Sequence, residues 1–418
     1  MPRQPHVVSR VARPTCKVSN TCTALYWACL TLAGLSSEQW RAIARAQAGG
    51  YMPVSTDLLL QARPVEGLVV LHTGYRNSPL VDADALVFMD GSQSNTAADV
   101  LSVSVGLREP HGYGQLRLGR FMLSTGAVRP VQIDGFSALA RAPTHSTFEV
   151  FGGLPVVAAF GARAFDWVAG ARIAQHVDEH VSLGASYLQR RDAGMLAGEE
   201  LGSDLSFAPL PWLGINAIGS WDLVSRSLAE ARVSSFSHSQ AAQLELFASR
   251  RIAARLLPAT SLFSVISDAP SSEAGASANW HAFPRLDLGS TLALEGLAHA
   301  WGYRAALRST LRLSDLDGGE LSLEATRRDL NDAGFTGAAL RVDIPVTQSL
   351  RPHASIEVAA ADHPRGRGAL WPWARIGASY AFASEWLVAA AVGFRATPQY
   401  KSDLSALVRI AYNAQVLP

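Results

Sequence analysis

The stretch Gly302-Tyr303-Arg304-Ala305-Ala306-Leu307-Arg308-Ser309-Thr310-Leu311-Arg312-Leu313 puts an apolar side chain on almost every second residue. Successive side chains of an extended strand point to opposite faces. Tyr303, Ala305, Leu307, Leu311 and Leu313 therefore share one side, and Arg304, Arg308 and Arg312 share the other. The stretch reads as a strand with one apolar and one charged face.

The same pattern extends in both directions. Upstream, Leu286, Leu288, Leu292 and Leu294 oppose Asp287, Gly289, Thr291 and Glu295. Downstream, Leu321 and Leu323 oppose Ser322 and Glu324, Leu340 and Val342 oppose Arg341, and Ile356 and Val358 oppose Glu357. Ile376, Ala378 and Tyr380 then oppose Arg375, and Leu404 to Tyr412 repeats the pattern. Weaker examples run from Leu101 to Leu107, Phe165 to Ile173, Val181 to Tyr187 and Leu213 to Trp221. Short breaks with turn chemistry separate them, such as Asp178-Glu179-His180, Ala208-Pro209-Leu210-Pro211 and Ser314-Asp315-Leu316-Asp317-Gly318. The chain reads as hairpin after hairpin with no helical crossover.

One apolar face per strand also describes a soluble sandwich. Three features favour a membrane wall. So many strands in soluble sandwiches require several domains, yet no Pro- or Ser-rich linker appears. The apolar face is Leu, Val and Ala in mid-strand, with Trp167, Trp221, Trp301, Tyr303, Trp371, Tyr380, Trp386 and Tyr412 toward strand ends, the placement of interfacial aromatic girdles. The other face mixes Gly, Ser, Arg, Asp and Glu, which suits a wet interior. Hydrocarbon offers an open sheet edge no partner, so such a sheet must close. The expected fold is all-β, a transmembrane antiparallel barrel of about 18 strands (range 16–20), each of about 8 to 12 residues. Turns near Asp178, Pro209, Pro284, Asp315, Thr347 and Ala383 are expected on the periplasmic side. The breaks at 190–199, 251–272, 363–370 and 396–402 are expected outside.

The N-terminus reads as an export signal. Arg3, Arg10, Arg13 and Lys17 precede an apolar run from Ala24 to Leu35, the order of a secretory leader. Cys16, Cys22 and Cys29 all lie within it, leaving the rest thiol-free, as suits passage through an oxidising compartment. Small-residue cleavage sites stand at Ala44-Arg45-Ala46 and Ala46-Gln47-Ala48. The expected division is an export segment over 1–46, a periplasmic segment or first strands over 47–83, and the barrel over 84–413. Removing residues 1–46 changes the formal charge from +1 to −4, and no basic patch calls for nucleic acid.

Inward charges suggest a register. If the turn at 314–318 sets Leu313 opposite Gly319, Arg312 faces Glu320 and Arg308 faces Glu324. A turn at 347–351 sets Arg341 opposite Glu357, and a hairpin near Ala300 sets Arg304 beside Glu295 and Arg312 beside Asp287. With Arg375, these are the candidate lumen and selectivity residues; solvated charges without fixed partners are the plainer alternative.

The segment Leu118 to Gly135 resembles, in outline, the region of porins where a strand ending in Gly-Arg (Gly119-Arg120) leads into a loop and Asp-Gly (Asp134-Gly135) opens the next strand. In porins such a loop can fold inward and set the pore. The resemblance makes Arg120, Arg129 and Asp134 candidate constriction residues; an ordinary outward loop is the alternative. The wider resemblance to outer-membrane porins rests on the strand pattern and on Leu404 to Tyr412. This chain departs from it by continuing through Asn413-Ala414-Gln415-Val416-Leu417-Pro418 past a terminal aromatic, and the resemblance still makes the barrel-assembly machinery an expected partner.

No catalytic constellation stands out. His176 and His180 flank a tight turn, Asp90 to Asn95 lacks a full calcium spacing, and no Gly-x-Ser-x-Gly elbow occurs. Neither enzyme, metal nor cofactor is expected. The expected partners are outer-membrane lipid and lipopolysaccharide, whose phosphates Arg365 and Arg367 could touch, with small polar solutes in the lumen. The expected function is a porin-like channel or transporter for passive passage of small polar solutes. The alternative is a closed structural or adhesive barrel with a charge-filled lumen.

Overall fold

The computed structural model describes residues 42–55, 66–75, 80–92, 95–156, 166–252, 270–297, 300–313, 318–330, 334–364, 368–382, 386–396 and 403–416. The expected leader, as far as residue 41, and Arg365 and Arg367 lie outside them. The strands begin with β1 (Ala42–Ser55), β2 (Glu66–Tyr75), β3 (Val81–Ser92), β4 (Asn95–Arg108), β5 (Gly114–Leu123), β6 (Val131–Arg141) and β7 (Ser146–Pro155). Next come β8 (Val168–His176), β9 (Val181–Asp192), β10 (Met195–Leu210), β11 (Leu213–Asp222), β12 (Ser227–His238), β13 (Ala242–Ile252) and β14 (Pro270–Phe283). The last are β15 (Leu286–Leu297), β16 (Ala300–Arg312), β17 (Glu320–Leu330), β18 (Phe335–Asp343), β19 (Leu350–Ala361), β20 (Leu370–Ala381), β21 (Trp386–Arg395) and β22 (Asp403–Val416).

Each strand runs antiparallel to the next, and β1 pairs with β22 from Ala42 opposite Val416 to Ser55 opposite Asp403. The sheet has no free edge. All backbone polar groups of a lipid-embedded wall must be satisfied within it, and closure is what a sheet can offer. The described residues hold 22 strands, above the expected 16–20. The extra ones come from residues 42–92, where the alternation is too weak to separate strands from a periplasmic segment. β1 also starts inside the expected export segment, so the boundary at residue 46 and both candidate cleavage sites fall within a paired strand.

The connections alternate between two ends. At the end where β1 begins and β22 finishes lie the connections 109–113, 142–145, 177–180, 211–212, 239–241, 284–285 and 344–349. The other end carries 124–130 and 193–194, and it is there that β7, β13, β19 and β21 finish, with 12, 17, 8 and 7 residues before the next strand begins. Short turns face the periplasm and longer loops the exterior in such barrels, which orients this one.

The apolar face looks outward. Leu292, Leu294, Leu307, Leu323 and Ile376 share it and are 56% to 68% exposed, which a soluble core would not leave. Trp280, Phe283, Tyr380, Phe382 and Trp386 gather toward the periplasmic end, the last three stacked at 6.5 and 5.9 Å. Trp167, Trp221, Trp301 and Tyr303 gather toward the outer end. The ten residue-to-residue steps from Tyr303 to Leu313, at about 3.3 Å each and a tilt near 45°, span about 23 Å, close to the thickness of an apolar band. Trp371 departs from the expected girdle. It stands opposite Ala359 and an even number of residues from Arg375, so period two puts it on the inner side.

Among the described residues, a cluster of apolar packing of the interior kind lies on the inner side of β5 to β9. Phe121, Val128, Val131, Ile133, Phe151, Val168 and Leu188 form a buried cluster there. Beside it Gly119, Gly135 and Gly153 stand opposite one another on three strands. A Cβ on Gly135 would lie 2.6 Å from the Gly153 Cα, so these strands approach too closely for any side chain.

Candidate channel wall and inward loop

The inner face of β14 to β18 is a ladder of charge. β15 and β16 set Arg304 opposite Ala293, from where its guanidinium reaches Glu295 at 2.8 Å and also bonds Glu273 on β14. Glu295 accepts a second guanidinium, that of Arg328 on β17, at 2.7 Å. Glu273 and Glu295 are directly opposite each other, and Arg304 bridges them. Toward the periplasmic end Arg312 binds Asp287 at 2.6 Å, and His281 bonds the other oxygen of the same carboxylate.

Register and pairing diverge at other positions. Arg308 is opposite Glu324 and Arg312 opposite Glu320, with the Leu313 N–H donating to the Gly319 carbonyl at 2.8 Å. Yet Arg308 donates to the Ser322 hydroxyl at 3.3 Å, Glu324 receives Arg341 at 3.4 Å, and Glu320 makes no ion pair among the described residues. Glu357 does not face Arg341. Arg341 is opposite Ser355, and Glu357 is opposite Ala339 and Trp373. The Thr347 hydroxyl accepts the N–H groups of Ser349 and Leu350, which closes the hairpin earlier and moves the partner by two residues. Arg375 is opposite Ser355 and Gly393, exposed to the interior and free of ion pairs among the described residues.

The second feature is the loop 124–130 between β5 and β6. It folds into the barrel and lies on the inner side of β9 and β10. The Ala127 N–H donates to the Ser186 hydroxyl at 3.2 Å, and the Arg129 N–H to Glu200 at 3.1 Å. The Arg129 guanidinium bonds the other oxygen of Glu200, whose side chain is 2% exposed. Arg172 and Asp204, paired at 2.6 Å, continue the polar floor beneath it. Thr125, Ala127 and Val128 are buried, the last in the apolar cluster. Two backbone donors, an ion pair and this apolar anchor hold the loop inside.

Arg120 and Asp134 are not members of that loop. They sit opposite each other on β5 and β6, joined by two bonds of 2.6 and 2.7 Å, on the outward side with Leu118, Met122 and Phe136. The loop starts only after Leu123, and period two sends Arg120 outward while Phe121 points in. Arg120 also donates to the Val100 carbonyl at 2.9 Å, and Gln132 to that of Leu101 at 2.6 Å, beyond the point where β4 stops pairing with β5. Among the three candidates, Arg129 alone lies inside.

Sequence reasoning missed Glu200, Ser186, Arg172, Asp204, Glu273 and Arg328. A signal existed for part of them: Glu200, Gly202, Asp204 and Ser206 alternate along β10. Nothing local connects Glu200 to Arg129. Outside the wall, the Arg327 guanidinium donates to Asp362 at 2.7 Å and holds that carboxyl below its usual range. Among the described residues no group of three or more His, Cys, Asp and Glu is placed to hold a metal ion.

A closed antiparallel wall with apolar outside, polar inside and aromatic belts at both rims is a structure built for lipid. The fold is that of an outer-membrane β-barrel. Its fold is similar to that of the P pilus usher (PapC) translocation pore, with a TM-score of 0.55 and 10% identity over 90% of this chain and 100% of that one. It is also similar to the ferric enterobactin receptor PfeA of Pseudomonas aeruginosa, with a TM-score of 0.56 and 8% identity over 89% of this chain and 80% of that one. At such identities the likeness concerns the fold. No protein-family model and no curated protein sequence matches the chain.

Proposed function

We propose that this barrel is a passive channel for small polar solutes, with inward arginines and carboxylates setting its charge preference. The observation that carries the reading is a wall whose interior is hollow among the described residues. The substantial contacts between strands are all between sheet neighbours, and the ion pairs of β14 to β18 run along the wall and not across the interior. Twenty-two strands about 4.8 Å apart and tilted about 40° enclose a ring on the order of 40 Å across. Paired side chains on one wall cannot fill that width, and the loop 124–130 narrows it from one side only. This favours an open lumen over a charge-filled one.

Planar-bilayer recording of the refolded full chain tests the reading. Discrete conductance steps that persist without a voltage or ligand trigger are the expected result. A silent bilayer, with incorporation verified by protease accessibility of vesicles made alongside, would overturn it in favour of a plugged structural barrel.

A further inference from the structure

The geometry points to a lipid site on the outside of the wall: a groove across β12, β13 and β14 that holds one phosphorylated glycolipid of the outer leaflet, its phosphate on Arg250 and an acyl chain along the floor below. The groove has a volume of about 380 Å³, within the range of about 300–1,000 Å³ that ligand sites occupy.

Small side chains hollow it out. Ala231, Arg250 and Ser272 stand opposite one another in one cross-strand row, and Val233, Ala248 and Ala274 in the next. They share the outward face with Leu246 and Leu294, so the hollow opens to lipid. Its side wall is Trp301, whose ring folds across β15 onto Gly296: a Cβ there would lie 3.1 Å from the indole. A glycine at that position is what lets the ring lie flat.

Charge and depth choose the occupant. Arg250 lies two residues from the outer end of β13, and Trp301 is the second residue of β16, so both stand at the outer interface. Three other arginines near this rim have partners: Arg120 binds Asp134, Arg327 binds Asp362, and Arg191 lies over Trp167. Arg250 is exposed and makes no ion pair among the described residues. A bare guanidinium above an apolar hollow matches an amphiphile with an anionic oxygen head and hydrocarbon tail, and Arg pairs with phosphate in bidentate fashion. The outer leaflet supplies that chemistry as phosphorylated glycolipid. The inference rests on the orientation of the barrel and not on conduction.

Native mass spectrometry of the refolded full chain in dodecylmaltoside, titrated with bisphosphorylated lipid A, tests it. R250Q, A248F and the luminal R375Q are compared, each checked for folding by heat-shifted gel mobility. The wild type and R375Q should bind alike. R250Q should bind about tenfold more weakly, a difference that disappears with dephosphorylated lipid A, and A248F should weaken binding of both lipids. Equal affinity in all four proteins, or tighter binding of phosphatidylglycerol than of lipid A, overturns the site. Lipid binding with a silent bilayer would remove the channel reading alone.

Discussion

Arg129 binds Glu200 through both its backbone N–H and its guanidinium, across 71 residues of sequence and four intervening strands. Breaking a buried pair by removing one partner strands the other charge, at about 3–5 kcal/mol. Glu200→Ala should release the loop 124–130. Hydrogen exchange at the Ala127 and Arg129 amides reads this directly, with acceleration of roughly 100-fold expected for about 3 kcal/mol. Unchanged protection would mean that the apolar anchor at Val128 holds the loop unaided.

The bridge made by Arg304 predicts an electrical effect. Arg304→Ala leaves Glu273 and Glu295 opposite each other, a like-charge cross-strand pair that destabilises by about 1 kcal/mol or less. The interior gains a negative charge. In a salt gradient the reversal potential should move toward cation preference, whereas no movement would place this ladder outside the conducting path.

Gly135→Ala should impair assembly, because the added Cβ meets the backbone of β7. Gly135 faces Gly119 and Gly153, so relief on either side requires the strands to part. The variant should show a smaller heat-resistant folded fraction on gels. Wild-type yield and mobility would show that the wall can shift.

The mature N-terminus should lie upstream of Ala42. Residues 42–46 pair with β2 on one side and β22 on the other, and cleavage after Ala46 or Ala48 would strip those partners at the closing seam. Terminal sequencing of membrane-extracted protein gives the answer. A start at Gln47 or Gly49 would contradict this closure.

At the periplasmic turn 109–113, the His111 side chain hydrogen-bonds Glu109 and, with the Tyr113 N–H at 3.0 Å, holds its carboxyl below the usual range. A lowered folded pKa stabilises the turn above the unfolded value, about 4.3, and the contribution is lost as pH falls through the folded value. The Tyr113 amide resonance should therefore titrate with a midpoint below about 4.3. His111→Ala should raise that midpoint, and an unchanged one would discount the histidine.

What the sequence by itself determined was everything that depends on neighbours along the chain. Period two told which side chains share a face, so Leu307 and Ile376 could be sent to lipid and Arg308 to the interior. A hairpin turn carries register to its two strands, which is why Arg308 opposite Glu324 was legible. Where a side chain adjusts the turn, as Thr347 does, the register moved and Glu357 lost its assigned partner.

Tertiary structure decided what joins distant strands. Closure of β1 on β22 depends on the curvature of the whole sheet, and residues 42–92 alternate too weakly to announce it. The inward fold of 124–130 depends on a polar floor on β9 and β10 and an apolar patch gathered from β5 to β9. Side-chain alternation specifies a face but not a shape, and only the curved wall brings Glu200 beneath Arg129.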